Sequence, residues 1–184
     1  FATVFSDVTE EVYFSEKIRY LSFHDQLTGL YNRHFFEEEL LRLDTERNLP
    51  LTIALLDVNG LKLTNDAFGH KKGDELLVKV AENLKTECRF DDIIARIGGD
   101  EFAFIFHIGT IKEPYEKIID RLLQEASKIV VFDGNIKLQV SASIGISFYS
   151  KDNDVDTKTL QKQADQAMYL SKTKGKNCFT VFDT

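Results

Sequence analysis

The feature that most constrains the fold is a nearly continuous apolar run, LTIALLDV, at residues 51–58. A strand that is apolar on both faces has to be covered on both faces, as the central strand of a sheet is. Two more apolar runs, IIARI and FAFIF, flank residues 98–101, and this pattern predicts a strand, a tight turn and a returning strand. We therefore expect a sheet that contains residues 51–58 and also holds a hairpin.

Helical patterns separate the strands. Asn32 is predicted to cap a helix whose apolar side chains fall on one side: Phe35, Phe36, Leu40 and Leu43. Further helices are expected at about residues 61–68, 74–85, 116–129 and 157–172, and further strands within residues 136–149 and at 179–182. The order of elements indicates an α+β fold, a mixed α/β sandwich of the ferredoxin-like kind, with a mostly antiparallel central sheet flanked by helices.

The first two dozen residues form a separate segment. FATVF is β-prone, and Asp7 or Thr9 is placed to cap a helix that runs to about Phe23. Apolar side chains on that helix recur at spacings of four and three: Phe14, Ile18 and Leu21. This pattern is typical of a coiled coil, although about two heptads are too few to be stable alone. Two interpretations stay open, a dimerising stalk and a helix packed on its own domain.

Composition excludes several classes of protein. The chain of 184 residues has a formal charge of −7, which argues against attraction to nucleic acids or to an anionic membrane. It has neither an apolar run of about 20 residues nor a signal peptide at its start, and the missing initiator Met suggests a fragment of a longer chain. Cys88 and Cys178 are isolated and are interpreted as reduced thiols of a cytoplasmic protein.

The first candidate site is the hairpin sequence GGDEF at residues 98–102. Its glycines allow backbone angles that other residues disfavour, and they let a phosphate approach the main chain. Asp100 and Glu101 are adjacent carboxylates whose repulsion a divalent cation would relieve. If the hairpin lies beside the apolar strand, Asp57 and Asp100 are placed to share a metal ion. The alternatives are a plain polar turn and an Asp57 that caps the next helix.

A second candidate site follows that strand. Asn65 and Asp74 bracket a glycine-containing turn at residues 69–73. A carboxylate can accept two hydrogen bonds from guanine, and an amide can meet its other edge. The alternative is that both are ordinary turn and cap residues. Nearby lysines add positive charge: Lys62, Lys71 and Lys72.

Two charged motifs complete the set. Lys172 and Lys176 are four residues apart at a helix end, so both would point one way and hold a triphosphate; alternatively they only complement the helix end before a Gly175 cap. Arg89 and Asp92 precede the hairpin, and a local surface ion pair is their simplest interpretation.

Six short sequence motifs follow one another along the chain: HDQLTGLYNR, DVNGLKLTND, FGHKKGD, RFDD, GGDEF and ADQAMYLSKTKGKN. With them, residues 24–182 resemble the GGDEF-domain diguanylate cyclases. The start, FATVFSDVTEE and a helix, resembles the tail of a PAS-type sensor. The resemblance divides the chain into a sensor tail and linker helix at residues 1–24 and a cyclase domain at residues 25–184, and it implies the palm fold of nucleotidyl cyclases.

The resemblance also implies a reaction. Two GTP molecules, one on each protomer of a homodimer joined through the stalk and the active-site face, would condense into cyclic di-GMP and release two pyrophosphates. Each GTP would use two Mg²⁺ or Mn²⁺ ions, held by Asp57, Asp100 and the Val58 carbonyl. Asp100 would also accept the 3′-hydroxyl proton, Glu101 would support the ribose or metal side, and an upstream PAS-type sensor would control the domain.

Further roles are implied residue by residue. Lys62 would stabilise the charged transition state. Nucleotide contacts are implied for Asn65, His70 and Asp74, and phosphate contacts for Asn59, Gly60, Leu61, Lys172 and Lys176. Arg89 and Asp92 match the family's product-inhibition motif, RxxD, which binds cyclic di-GMP.

The chain departs from the family pattern at three positions. Asn59 replaces the usual second Asp, Leu61 replaces Phe, and Lys176 stands where Arg is common. Lysine keeps the charge of arginine but loses its two-pronged geometry. The alternative function is a catalytically silent receptor for GTP or cyclic di-GMP, which the intact Asp100 and Glu101 disfavour.

Overall fold

The computed structural model describes residues 3–45, 48–106, 114–132, 134–149 and 155–183. Its helices are α1 (Thr3–Phe23), α2 (Arg33–Leu43), α3 (Leu61–Phe68), α4 (His70–Glu87), α5 (Tyr115–Ala126) and α6 (Thr157–Lys174). Its strands are β1 (Tyr31–Asn32), β2 (Leu51–Asn59), β3 (Ile93–Arg96), β4 (Glu101–Phe106), β5 (Val130–Phe132), β6 (Ile136–Leu138), β7 (Ser141–Tyr149) and β8 (Cys178–Val181). Six strands form one sheet in the order β1-β3-β4-β2-β7-β8, and β5 pairs with β6 in a separate ribbon.

The apolar run of residues 51–58 lies at the centre of this sheet. Strand β2 pairs antiparallel with β4 on one side and with β7 on the other, and every residue from 51 to 58 is buried. Among the described strands, only the outer pairs, β1 with β3 and β7 with β8, are parallel. The predicted central strand, the predicted hairpin and the mostly antiparallel α+β fold are therefore confirmed.

Side chains of β2 alternate between two helical layers. Those at residues 54, 56 and 58 pack in a core with α4 and α5, whereas those at residues 51, 53 and 55 pack in a core with α2 and α6. The alternation continues to Asp57, whose side chain emerges on the α2 and α6 side. Sheet register thus decides which helix supplies the partner of this carboxylate.

Helix α6 lies unusually close to the sheet because β7 has a glycine beneath it. A Cβ on Gly145 would stand only 2.0 Å from the Ala164 carbonyl oxygen and 2.1 Å from the Met168 nitrogen. Two buried hydroxyl groups form hydrogen bonds between α6 and β7. Ser147 donates to the Leu160 carbonyl at 2.9 Å, and Ser171 donates to the Ile144 carbonyl at 2.8 Å. These contacts fix the backbone at the end of α6.

The N-terminal segment differs from its prediction. Residues 3–5 of the β-prone stretch belong to α1, because no described strand pairs with them and the helix simply extends through them. The apolar stripe on α1 is exposed to solvent in the single chain: Phe14 58%, Ile18 67% and Leu21 43%. The helix contacts its own domain at its C-terminal end, where Phe23 stacks on His34. The interpretation that the stripe packs on its own domain is therefore wrong.

Three other boundaries also differ. Helix α4 starts at His70 rather than 74, because Gly69 alone makes the break, with φ of 86°. The strand expected within residues 136–149 is interrupted between Leu138 and Ser141, and its first part pairs with β5. Helix α5 ends at Ala126, three residues before its predicted end. Among the described residues, no helix has the length and apolar character needed to cross a bilayer.

Candidate active site

Asp57 lies at the end of β2, nearly buried, with a lysine as its partner. The Lys172 Nζ atom donates to Asp57 Oδ2 at 2.7 Å. Burial raises the pKa of Asp57, and the nearby charge of Asp100 raises it further, whereas the hydrogen bond from Lys172 acts in the opposite direction; the net shift is upward. This is a carboxylate that a cation must stabilise.

The hairpin lies beside this strand. The Val58 N–H donates to the Asp100 carbonyl at 2.9 Å, and Asp57 is the register partner of Glu101. The Glu101 carboxylate folds back over Gly98, where a Cβ would lie 2.6 Å from its Oε2 atom. Gly98 therefore provides space for the Glu101 side chain within the turn.

The donor set fits a Mg²⁺ or Mn²⁺ ion that is completed by a ligand. Asp100 is close enough for its charge to help raise the pKa of Asp57. In the part of the chain that the structure describes, no three His, Cys, Asp or Glu side chains converge on one point. Mg²⁺ usually takes one or two carboxylates and keeps waters or substrate phosphates as its other ligands. The site thus suits a metal that arrives with a phosphate compound.

The turn after β2 presents main-chain groups. Gly60 adopts φ of 97° and begins α3 without a side-chain cap, so the interpretation of Asp57 as a helix cap is wrong. Asn59 instead donates to the Ser143 hydroxyl at 3.0 Å, on the neighbouring strand. The N-terminal amides of α3, at Leu61 and after it, have no side-chain partner from this turn. Such amides are suited to a phosphate.

The Asn65 amide packs against Gly73, the residue directly before Asp74. A Cβ on Gly73 would lie 1.8 Å from the Asn65 Oδ1 atom, so the glycine leaves room for this amide between α3 and α4. That Oδ1 atom is buried and has no hydrogen-bond partner among the described residues. Asp74 is exposed and follows Gly73 directly, while Lys62 and His70 are exposed nearby on α3 and α4. An unpaired amide oxygen beside an exposed carboxylate suits a polar ligand edge.

The two lysines at the end of α6 do not share a helix face. Helix α6 ends at Lys174, and Gly175, Lys176 and Asn177 all have positive φ, at 136°, 62° and 51°. The spacing argument is therefore wrong for Lys176, which lies beyond the helix and is exposed. A cleft of about 780 Å³ opens beside Lys172. Its lining includes Glu101, Met168, Tyr169, Lys174, Thr180 and Phe182.

The motif before the hairpin forms an exposed turn. The Arg89 N–H donates to the Asp92 carboxylate at 2.8 Å, and the Asp92 N–H donates to the Arg89 carbonyl at 3.1 Å. Phe90 is fully exposed between them, and clefts of about 500 and 380 Å³ adjoin the turn. Burial raises the pKa of the neighbouring Cys88 thiol to about 12, which keeps it protonated and unreactive.

Arg96 makes contacts that sequence reasoning did not predict. Arg96 donates to the Asp25 carboxylate at 3.1 and 3.3 Å and to the Gly99 carbonyl at 2.8 and 3.2 Å. Burial raises the pKa of Asp25, but hydrogen bonds from Thr28 and Arg96 outweigh it and lower the pKa below its ordinary value. The segment after α1 is thereby fastened to the hairpin. No signal within the HDQLT stretch points to this partner, because Arg96 lies 71 positions further along the chain.

Curated bacterial proteins include relatives of this chain. The chain is 33% identical over 169 residues to the bifunctional diguanylate cyclase/cyclic di-GMP phosphodiesterase MucR of Pseudomonas aeruginosa, covering 89% of this chain and 24% of that protein. It is 31% identical over 180 residues to the cyclic di-GMP phosphodiesterase PdeB of Shewanella oneidensis, covering 98% of this chain and 21% of that protein. The chain thus spans about a quarter or less of these relatives.

Solved structures share the fold over almost the whole chain. The coiled coil and GGDEF domain of DgcB from Caulobacter crescentus, crystallised with c-di-GMP, matches with a TM-score of 0.85 at 26% identity, covering 98% of this chain and 96% of that one. The GGDEF domain of PA1120 (TpbB or YfiN) from Pseudomonas aeruginosa matches with a TM-score of 0.76 at 29% identity, covering 87% and 94%. The family model described as diguanylate cyclase, GGDEF domain, matches residues 22–178. By this match, the chain belongs to the GGDEF-domain family.

Proposed function

We propose that residues 25–184 are the catalytic domain of a diguanylate cyclase, which condenses two GTP molecules into cyclic di-GMP and releases two pyrophosphates. The observation that carries this proposal is the register of the hairpin, which brings Asp100 to the end of β2 beside Asp57. Two divalent metal ions per GTP, held there with the Val58 carbonyl, would neutralise the phosphates and favour ionisation of the 3′-hydroxyl.

The remaining residues position and neutralise the substrate. Phosphoryl transfer needs little covalent help from the protein, so positioning and charge dominate. Asn65 and Asp74 would bind guanine between α3 and α4, with His70 near the nucleotide. The phosphates would contact Lys172, Lys176 and the main-chain amides of residues 59–61. Lys62 would stabilise the transition state, and Asp100 would accept the 3′-hydroxyl proton while Glu101 supports the ribose or metal side.

One domain holds one GTP, so we propose that two protomers face each other. The exposed stripe on α1 supports a stalk that joins them, and the structural likeness to a coiled coil and GGDEF domain supports it as well. We further propose that residues 1–24 continue from a PAS-type sensor and that the domain works in the cytoplasm, where GTP is available. The exposed turn at Arg89 and Asp92 would bind cyclic di-GMP and inhibit the enzyme.

A single assay tests the reaction. The chain is incubated with GTP and Mg²⁺, and cyclic di-GMP is measured by chromatography, with Asp100→Asn as the inactive comparison. We expect product from the wild type and a loss of about a hundredfold or more in the variant. A dimeric wild type that binds GTP but yields no cyclic di-GMP would refute the cyclase proposal.

A second candidate function is a regulatory domain that binds GTP or cyclic di-GMP without turnover. Two observations favour this function. The chain is similar to PdeB, which is named as a phosphodiesterase, and Asn59 at the end of β2 replaces the family's usual second Asp. The same assay separates the two, because the receptor would bind nucleotide and form no product.

A further inference from the structure

The lysine on Asp57 is in the position where a metal ion would be expected. Asp57 has a side chain only 9% exposed, and its Oδ2 atom accepts from Lys172 Nζ at 2.7 Å. A nearly buried carboxylate without a counter-charge is unstable. Lys172 therefore provides the positive charge that the carboxylate needs before any metal arrives.

An ammonium group and a divalent ion compete for this carboxylate. The ammonium has three donors and no acceptor, so it cannot help to hold a metal ion. A metal bound to Asp57 would place two more positive charges within a few ångströms of Nζ, where repulsion is strong in a partly buried site. Lys172 therefore opposes metal binding at Asp57 for as long as its ammonium stays on Oδ2.

The lysine side chain can move while its backbone stays in place. Ser171, directly before it, is fully buried and bonds both the Ile144 carbonyl and the Thr180 hydroxyl at 2.8 Å. The Lys172 side chain is 34% exposed and borders the cleft of about 780 Å³. Its four-carbon stem therefore has room to turn toward a ligand in that cleft. A triphosphate offers the ammonium stronger acceptors than one shared carboxylate.

We propose that Lys172 is an internal cation that keeps Asp57 closed to divalent metal ions until a triphosphate draws its ammonium away. Metal and nucleotide then bind cooperatively, and the coupling acts equally in both directions. Lys172 is a positioning residue for the metal site in addition to its proposed phosphate contact. The identity of the triphosphate rests on the proposed function, but the competition at Asp57 does not.

Binding of Mn²⁺ without nucleotide tests whether Lys172 keeps metal ions away from Asp57. Mn²⁺ is titrated into the whole chain without nucleotide, and free Mn²⁺ is followed by electron paramagnetic resonance. We expect Lys172→Met to bind Mn²⁺ at least about tenfold more tightly than the wild type, because the competing charge is removed. Lys174→Met is the matched control, since Lys174 lies on the same helix end and bonds Thr180 instead. It should bind Mn²⁺ as the wild type does.

Further variants separate the charge of Lys172 from its packing and from its phosphate contact. Lys172→Arg keeps the positive charge, so it should bind Mn²⁺ as weakly as the wild type does. Lys172→Gln removes the charge but keeps a hydrogen-bond donor, so it should bind Mn²⁺ tightly. The Gln variant also keeps the test valid if Lys172→Met folds poorly. Lys176→Met loses a proposed phosphate contact and should leave binding of Mn²⁺ alone unchanged. With a GTP analogue carrying an α,β-methylene bridge, Mn²⁺ affinity should rise in the wild type and rise less in Lys172→Met.

The outcomes separate this proposal from the proposed function. If both neutral variants bind Mn²⁺ no more tightly than the wild type, the internal cation is refuted, whatever the enzyme does with GTP. If they bind it more tightly and the wild type forms no cyclic di-GMP, the competition holds and the cyclase proposal fails. Tighter binding in Lys174→Met as well would refute the specific role of Lys172.

Discussion

At the scale of single residues, two partly buried carboxylates with cationic partners are perturbed in opposite directions. The pKa of Asp57 is raised, because burial and the charge of Asp100 outweigh the bond from Lys172. The pKa of Asp25 is lowered, because bonds from Thr28 and Arg96 outweigh its burial. A raised folded pKa means that the charged acid destabilises the fold above that pKa, whereas a lowered one means that the charged acid stabilises it. The charged form of Asp57 therefore lowers the stability of the fold, and the charged form of Asp25 raises it.

This difference predicts opposite effects of the same substitution. In metal-free buffer at pH 7, Asp57→Asn should raise the midpoint of thermal unfolding, and Asp25→Asn should lower it. As the pH falls through the pKa of each folded acid, the wild type becomes more stable relative to Asp57→Asn. Over the same fall it loses the stability by which it exceeds Asp25→Asn. Thermal unfolding measured from pH 7 down to about pH 3 checks this, because the advantage that Asp25 gives is lost only below the ordinary aspartate pKa of about 3.9. A lower midpoint for Asp57→Asn at pH 7 would contradict the assignment.

At the scale of elements, the α3 and α4 pair depends on one glycine. Ala is favoured over Gly in a helix by about 1 kcal/mol, so Gly73→Ala should leave α4 folded. Its Cβ, 1.8 Å from the Asn65 Oδ1 atom, would push that amide away. We expect guanine nucleotide affinity to fall about tenfold, the worth of a lost hydrogen bond or two. Calorimetric titration of a GTP analogue measures it, with the exposed Lys79→Ala as control. Unchanged affinity would remove Asn65 from the nucleotide site.

Element patterns also explain how far sequence reasoning reached. The central strand and the hairpin were predictable, because an apolar run of eight residues and a glycine pair are local signals. The end of α6 was predicted as one of two alternatives, the Gly175 cap, and the φ of 136° at Gly175 confirms that alternative. The bond between Lys172 and Asp57 joins residues 115 positions apart, and register alone brings them together. Local patterns therefore pointed to candidate site residues but not to the partners that the fold gives them.

At the scale of the whole molecule, a continuous set of contacts joins the stalk to the hairpin. The Ser22 carbonyl at the end of α1 accepts from the Asn32 amide at 2.9 Å. Asp25, three residues further on, binds Arg96, which also holds the Gly99 carbonyl. Hydrogen bonds therefore connect the end of α1 with the hairpin through Asp25 and Arg96.

The exposed stripe on α1 predicts how activity depends on protein concentration. Phe14, Ile18 and Leu21 present an apolar face that the single chain leaves in water, and a second copy would cover it. If the proposed dimer and cyclase activity exist, replacing all three with Glu should dissociate the dimer and lower activity per chain about tenfold or more at micromolar protein, because the stalk no longer raises the effective concentration of the second half-site. Activity per chain should then rise with protein concentration, since free domains still meet by diffusion. Sedimentation velocity and cyclic di-GMP assays over a dilution series measure both effects, and Arg19→Glu adds negative charge to the same helix away from the stripe as a control. A triple variant that stays dimeric, or one whose activity per chain does not change with concentration, would show that the protomers meet through another surface.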